Sequence, residues 1–220
     1  MPELPEVETV RKGLDKLVKG FYINKLEVLK ERSISSSGGS TEFVKNLEGA
    51  FIRDWKRRGK YLIGSLSSCS KDFDSKGFLG VHLRMTGYFK LIKKKTLSCP
   101  HTRIRFWNNE GVELRFVDVR NFGQMWWVPP KKPLEEVITG LKRLGPEPFS
   151  GEFNSSYLQA CLRGKTRTIK SALLDQSTVA GIGNIYADES LFDAGILPKR
   201  ECKDLRTSEI EQLHRSLIKV

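Results

Sequence analysis

The sequence lacks the features that mark membrane-spanning, secreted and metal-stabilised proteins. No apolar run approaches the roughly 20 residues that a transmembrane helix needs. The amino terminus is acidic rather than basic and then apolar, so no signal peptide is visible. The cysteines form no C-x-x-C pair, which speaks against a zinc finger and indicates free thiols of a reducing compartment: Cys69, Cys99, Cys161 and Cys202. We therefore expect a cytoplasmic protein without a metal or another cofactor in this chain.

Positive charge, in contrast, is abundant. The 220 residues include 38 Lys and Arg against 26 Asp and Glu, a net charge of +12. This surplus favours nucleic acid as the partner. Binding to a membrane surface is the weaker alternative, because no basic amphipathic helix stands out. With 39% hydrophobic and 29% charged residues, the chain has the composition of a globular protein of one or two domains.

Hydrophobic periodicity divides the chain into a strand-rich part and a helical part. Leu4, Val7, Val10, Leu14 and Val18 recur at helical spacing and predict a first helix over 2–19. Short alternating runs follow and predict strands of a sandwich or a barrel: 25–29, 50–56, 61–66, 78–85, 88–92, 102–107, 112–117 and 124–128. The string SISSSGGS at 33–40 predicts an exposed flexible loop between the first two of these strands.

The proline-rich string PPKKP at 129–133 marks the clearest change in composition. One short helical run, 134–144, follows it, and helical patterns dominate from 151 onward. A capping box of Ser208 and Glu211 is predicted to start the last helix. We therefore expect a domain over 1–130, a linker over 131–150 and an all-α domain over 151–220.

The first residues suggest amine chemistry. Removal of Met1 leaves Pro2 with a free secondary amine, which forms a cationic iminium with a sugar C1′ or an aldehyde. Glu3 and Glu6 lie one helical turn apart and could move the protons. The alternative is structural, since proline and acidic side chains also suit the first turn of a helix.

Five further strings have a structural as well as a functional interpretation. RRGKYL contains Lys60 and could be a solvated charge cluster, and Met85 of HLRMTG could simply be a core side chain. His101 of CPHTR could be a surface residue. RGKTRTIK and GIGNIYADES combine basic residues with glycine turns before helices, where free N–H groups can bind phosphate, although a G-x-G turn alone is weak evidence. Asp188 and Glu189 in the second of these strings are predicted to be structural.

Taken in order, the strings MPELPEVET, RRGKYL, HLRMTG with RNFG, and GIGNIYADESLF resemble the formamidopyrimidine-DNA glycosylase family of bifunctional repair enzymes. The resemblance implies an α+β fold, an N-terminal β-sandwich with a packed N-terminal helix followed by an all-α helix–two-turns–helix domain. It implies excision of oxidised purines from duplex DNA by a monomer, through a Schiff base on Pro2, followed by β,δ-elimination.

The resemblance also assigns roles to individual residues. The implied catalytic residues are Pro2, Glu3, Glu6 and Lys60. The residues implied to enter the duplex in place of the damaged nucleotide are Met85, Arg120 and Phe122. The implied DNA contacts are His101, Arg120, Lys165, Lys170 and Asn184.

Two departures from the family pattern affect these expectations. Many relatives have a second basic residue where this chain has Asn121, which removes one phosphate contact. Relatives usually continue into a carboxy-terminal zinc finger, whereas this chain stops at Val220 inside an expected helix of the DNA-binding domain. A damaged-DNA binder without turnover, and an enzyme for oxidised pyrimidines, are therefore the alternatives to the purine glycosylase.

Overall fold

The computed structural model describes residues 1–69, 74–94 and 96–220. The chain divides into two compact units, Met1–Lys142 and Arg143–Val220. All named strands of the described residues lie in the first unit, and the second unit is helical. This mixed architecture agrees with the expected α+β fold.

The first unit contains two antiparallel sheets. One sheet has the order β1-β3-β4-β5-β9 and the other has the order β2-β7-β8-β6. The strands are β1 (Phe21–Tyr22), β2 (Lys25–Val28), β3 (Phe51–Arg58), β4 (Tyr61–Ser67), β5 (Ser75–His82), β6 (Gly87–Ile92), β7 (Thr102–Trp107), β8 (Glu113–Asp118) and β9 (Gln124–Val128). Each of the eight alternating runs is a strand, so the strand predictions are confirmed.

A single hydrophobic core joins the two sheets. Ile52 and Leu62 of the first sheet and Phe106 and Phe116 of the second are fully buried in one cluster. Alternation along each strand sends these side chains to one face, as expected for a sandwich. The sequence pattern left a sandwich or a barrel open, and the two separate sheets decide for the sandwich.

Helix α1 (Leu4–Val18) packs on β3 and β4 of the sandwich. Leu4, Val7, Leu14 and Val18 are its buried residues, which confirms the predicted helical face. The helix begins after Glu3 rather than at Pro2, because Glu3 has an extended backbone and acts as the N-cap. The catalytic carboxylates expected from the sequence therefore lie at a helix start that the sandwich supports.

The segment predicted as a flexible loop, 33–40, is in fact structured. A 3-10 helix spans Glu31–Ser33, and α2 (Gly39–Leu47) begins within the same stretch. Ser33 is only 1% exposed, and the Ser35 N–H donates to the Met125 carbonyl at 2.8 Å. The polar composition concealed these tertiary contacts with β9, so the loop prediction was wrong. After β9, the predicted run over 134–144 is split into α3 (Leu134–Val137) and a 3-10 helix, Leu141–Arg143.

The second unit packs four α-helices around its own core. These are α4 (Ser155–Leu162), α5 (Ile169–Leu174), α6 (Asn184–Asp193) and α7 (Thr207–Lys219). Its core includes Leu158, Leu173, Leu191 and Leu213.

The starts of these helices have different caps. Asn154 caps α4 by accepting the Tyr157 N–H at 2.9 Å. The predicted capping box of α7 was wrong, because this helix begins at Thr207 and the Arg206 N–H donates to Glu209 Oε2.

Candidate functional site

The acidic residues of the amino terminus meet at the start of α1. Glu3 is 2% exposed, whereas Glu6 lies on the exposed side of the first turn. The Glu3 backbone N–H donates to Glu6 Oε2 at 2.9 Å, an interaction typical of a capping box. Pro2 is half-buried and immediately precedes Glu3. The amine that Met1 removal would expose therefore belongs to the residue before a buried carboxylate, and the accessible Glu6 lies one helical turn further on.

Lys60 lies in the tight turn between β3 and β4 and is only 5% exposed. Gly59 precedes it with a φ of 54°, a left-handed conformation that favours glycine. Burial lowers the pKa of the Lys60 ammonium, and the negative charges of Glu3 and Glu6 partly oppose this shift. Lys60 therefore lies close enough to Glu3 and Glu6 to interact with their charges, although it comes from a distant part of the sequence.

A buried histidine borders this group. Burial, with the positive charges of Arg84 and Lys60, lowers the pKa of His82 to about 3. Its Nδ1 accepts the Arg84 N–H at 3.0 Å, so the neutral ring carries its proton on Nε2. The Tyr61 ring meets the imidazole edge-on, with the ring centroids 4.6 Å apart. His82 is the first residue of the string HLRMTG, and the sequence predicted no role for it.

Two loops at one end of the sandwich carry the residues predicted to enter DNA. Met85 lies between β5 and β6, and Arg120 and Phe122 lie between β8 and β9. Met85 is 39% exposed and Phe122 is 42% exposed, so neither of these large apolar side chains is a core residue. The guanidinium carbon of Arg120 lies 5.1 Å from the Phe122 ring centroid. We call Met85, Arg120 and Phe122 the wedge.

Asp118 holds the two wedge loops together. Its side chain is fully buried, and its Oδ2 accepts the Gly123 N–H at 2.7 Å. Its Oδ1 accepts the Thr86 hydroxyl from the other loop, and that hydroxyl accepts the Arg120 N–H at 3.0 Å. Asp118 was not predicted as a functional residue. The available signal was an acidic residue at the end of a predicted strand, two positions before RNFG.

Asn121 occupies the tip of the second wedge loop with a φ of 56°. Asparagine tolerates this left-handed conformation better than most residues. His101 lies in an exposed turn before β7, and its carbonyl accepts the Asp118 N–H at 2.9 Å. The His101 backbone is therefore tied to the strand that leads into the wedge loop, while its side chain stays accessible.

The remaining predicted contacts lie in the helical unit. Lys165 is exposed in the turn before α5, and Asn184 is the exposed first residue of α6. Lys170 is half-buried and pairs with Asp188, with Nζ 2.8 Å from Oδ2. Asp188 thus forms an internal ion pair, as expected. A DNA phosphate that contacts Lys170 would compete with this carboxylate for the ammonium group.

Comparison with known proteins identifies the family. The chain matches the family model of the formamidopyrimidine-DNA glycosylase N-terminal domain over residues 1–125. It matches that of the formamidopyrimidine-DNA glycosylase H2TH domain over residues 144–220. The chain belongs to the formamidopyrimidine-DNA glycosylase family.

Individual members of this family are similar along the whole chain. A formamidopyrimidine-DNA glycosylase of Prochlorococcus marinus (strain NATL1A) is 63% identical over 220 residues, which are 100% of this chain and 77% of the relative. The corresponding protein of Parasynechococcus marenigrum (strain WH8102) is 54% identical over 220 residues, with the same shares of the two chains.

Solved structures of the family have the same fold. MutM in complex with DNA containing carbocyclic 8-oxo-G is 37% identical, with a TM-score of 0.88 over 99% of this chain and 77% of that one. Lactococcus lactis Fpg in complex with DNA containing an abasic site is 36% identical, with a TM-score of 0.87 over the same shares. As a family member, the protein is a base-excision DNA repair enzyme. It is a glycosylase for oxidised purines that also has lyase activity at abasic sites.

The structural zinc common in formamidopyrimidine-DNA glycosylases does not fit the cysteines of this chain. Cys202 is buried in the helical core, while Cys99 is exposed in the other unit. Within residues 1–69, 74–94 and 96–220, no three His, Cys, Asp or Glu side chains are grouped so that they could hold a metal ion. In the same described ranges, no helix is long and apolar enough to cross a membrane.

Proposed function

We propose that this glycosylase removes 8-oxoguanine and formamidopyrimidines from duplex DNA with Pro2 as the nucleophile. The observation that carries the proposal is the grouping of Glu3, Glu6 and the buried Lys60 at the amino terminus. A buried carboxylate next to an amine supplies the acid and base that Schiff-base chemistry requires. The wedge then provides the means to hold the duplex open.

The first step joins the Pro2 nitrogen to C1′ of the flipped nucleotide. The Pro2 nitrogen loses its proton as this bond forms. The bond from C1′ to the base breaks, and the base leaves with the bonding electrons and takes up a proton. Glu3 then protonates the ring oxygen O4′, the bond from C1′ to O4′ breaks, and a cationic iminium remains on Pro2. Glu6 supports these transfers by holding the helix start through its bond to the Glu3 N–H.

The iminium next acidifies the C2′ protons, because it accepts the electron pair released at C2′. Loss of a C2′ proton expels the 3′ phosphate from C3′, and loss of the C4′ proton then expels the 5′ phosphate from C5′. Water finally hydrolyses the iminium, which releases the unsaturated sugar fragment and restores the Pro2 amine. The protonated Lys60 side chain stabilises phosphate charge near the reacting sugar and assists proton transfer to the opened sugar or the leaving base.

DNA is held by both units in this proposal. Met85 and Phe122 fill the space left by the flipped nucleotide, and Arg120 hydrogen-bonds the base opposite. The backbone contacts are His101, Lys165, Lys170 and Asn184. Accordingly, 1–130 is the catalytic domain, 131–150 the linker and 151–220 the DNA-binding domain, and the enzyme acts as a cytoplasmic monomer.

Borohydride trapping with an 8-oxoguanine·C duplex, followed by peptide mapping, tests the amine mechanism. We expect one reduced adduct, on Pro2. The Pro2→Gly variant keeps a primary amine and should retain weak lyase activity. A chain whose amino terminus is blocked by a non-removable extension should form no adduct. Nicking of an abasic duplex by that blocked chain would contradict the mechanism.

The two alternatives predict different results in the same assays. A binding module without turnover would give salt-sensitive DNA binding and no adduct. An enzyme for oxidised pyrimidines is the second candidate, since Lactococcus lactis Fpg has been solved with DNA containing an oxidised pyrimidine. A panel of duplexes carrying 8-oxoguanine, formamidopyrimidine or an oxidised pyrimidine separates the substrates by their excision rates.

A further inference from the structure

The Phe122 ring has two cationic neighbours, and one of them lies outside the wedge loops. The guanidinium carbon of Arg32 lies 5.7 Å from the ring centroid, compared with 5.1 Å for Arg120. Arg32 belongs to the 3-10 helix Glu31–Ser33 near the amino terminus. A guanidinium at this distance is attracted by the electrons of the ring face. A distant part of the sequence therefore contacts Phe122, the aromatic residue of the wedge.

The backbone that carries Arg32 is fixed relative to the Phe122 loop. Next to Arg32, the Ser33 side chain lies 3.5 Å from Asn121, between Oγ and Oδ1. Two residues further on, Ser35 accepts the Gln124 side-chain amide at 3.0 Å and donates its N–H to Met125 at 2.8 Å. These bonds connect the segment to Asn121, which precedes Phe122, and to Gln124 and Met125, which follow it. The position of Arg32 over the ring is thus built into the fold.

Within residues 1–69, 74–94 and 96–220, no carboxylate pairs with Arg32. Its neighbour Glu31 instead accepts the Ser40 N–H at 2.7 Å. Arg32 also lines a concavity of about 420 Å³ with Met85, Phe122 and Arg84. An unneutralised guanidinium beside this concavity suits a polyanionic ligand.

We infer that Arg32 is a positioning residue that holds the Phe122 ring in the orientation for entering the duplex. The inference rests on the proposed function, specifically on the insertion of Phe122. The competing role is a direct bond from Arg32 to a DNA phosphate. The two roles differ in one respect, because only the positioning role requires the Phe122 ring.

A double-mutant cycle on the full chain separates these roles. The variants are Arg32→Ala, Phe122→Ala and their combination, measured by single-turnover excision of 8-oxoguanine from duplex DNA. We expect Arg32→Ala to slow excision about two- to fivefold, the size of an exposed cation–π interaction, and to cause no further loss in the Phe122→Ala background. Nicking of a duplex with a preformed abasic site should fall less than excision, because the base is already gone.

Two additional variants control for charge. Lys30→Ala removes the same charge from an exposed neighbour and should leave excision at the wild-type rate. Arg32→Lys keeps the charge but replaces the guanidinium over the ring with a compact ammonium, so it should recover the wild-type rate only in part. Thermal unfolding of every variant establishes that the losses do not reflect unfolded protein.

The results that would overturn the inference are distinct. A phosphate contact by Arg32 would cause an equal loss of excision in both backgrounds, and Arg32→Lys would restore the rate fully. It would also make the salt dependence of binding by Arg32→Ala smaller by about one counterion. Absence of any loss in Arg32→Ala, while Phe122→Ala slows excision, would remove only the positioning role. Absence of a loss in Phe122→Ala would overturn the wedge proposal itself, and the inference with it.

Discussion

The Asp118 carboxylate accepts the Thr86 hydroxyl and thereby joins two loops that are separated in sequence by three strands, β6 to β8. The same carboxylate accepts the Gly123 N–H, and the Thr86 hydroxyl accepts the Arg120 N–H. Asp118 is completely buried, so water cannot replace these bonds if the carboxylate is lost. The relative position of Met85 and Phe122 consequently depends on one side chain that does not belong to the wedge.

Removal of this carboxylate should impair excision more than strand cleavage. In Asp118→Ala the buried Gly123 N–H and Thr86 hydroxyl lose their acceptor, which should lower the free energy of unfolding by about 1–3 kcal/mol. A wedge displaced by about 1 Å should slow 8-oxoguanine excision at least tenfold. Nicking of a preformed abasic site should fall less. Asp54→Ala, which removes a half-buried bond to Ser65, is the control and should leave the ratio of the two activities unchanged.

Glu3 and Glu6 should differ in their contributions to the chemistry. Glu3→Gln keeps the size of the buried side chain but cannot transfer a proton, so excision should slow by about 10²- to 10⁴-fold. Glu6→Gln keeps an oxygen for the Glu3 N–H and should cause a smaller loss. Borohydride trapping on an abasic duplex should still modify Pro2 in both variants. Equal losses in the two variants would contradict the division of roles proposed above.

The lowered pKa of Lys60 should be visible in the pH dependence of strand cleavage. Because burial lowers this pKa, the ammonium loses its proton at a lower pH than an exposed lysine would, and cleavage should decline early on the alkaline side. Lys60→Arg should show a lower rate without this decline, because arginine stays protonated. Lys60→Met should be slow at every pH. Lys56→Met, an exposed neighbour in β3, should retain the wild-type profile.

His82 should make the first unit sensitive to acid. Its pKa is about 3 in the folded chain and about 6.5 when exposed, so the unfolded chain binds the extra proton first as the pH falls. Stability from this residue is present above pH 6.5 and is lost toward pH 3, by about 2 kcal/mol between pH 7 and pH 5.

The measurement is chemical unfolding followed by tryptophan fluorescence, since all four tryptophans lie in the first unit. His82→Asn removes the titration and keeps an acceptor for the Arg84 N–H, so the difference between its stabilities at the two pH values should be smaller by that amount. An unchanged difference would show that another group is responsible.

The Lys170–Asp188 pair should moderate DNA binding by the helical unit. Both side chains are partly exposed, so the pair itself contributes little to stability. Lys170→Ala should weaken binding and reduce the salt dependence by about one counterion. Asp188→Asn should tighten binding slightly, because Lys170 is then available to phosphate. Lys219→Ala breaks another lysine–aspartate pair of this unit, with Asp193, and should not alter the salt dependence.

Much of the fold could be predicted because its signals are local. Alternating side chains in the runs that became β3 to β9 reflect strands with one face in the core. The three- and four-residue spacing of Leu4, Val7 and Leu14 likewise reflects one buried helix face. The segment 33–40 lacked any such pattern, because its structure depends on bonds to β9 rather than on its own residues.

The sequence by itself determined which chemistry the chain can perform, since a proline after the initiator Met, two acidic residues one turn apart and four ordered strings indicate an amine-dependent DNA glycosylase. Only the tertiary structure decided how those residues work together. Burial lowers the pKa of Lys60 while the charges of Glu3 and Glu6 partly oppose this shift, and Asp118 and Arg32 act on the wedge from outside its loops. Sequence patterns report local spacing, whereas burial and charge proximity arise from chain segments that meet only after folding.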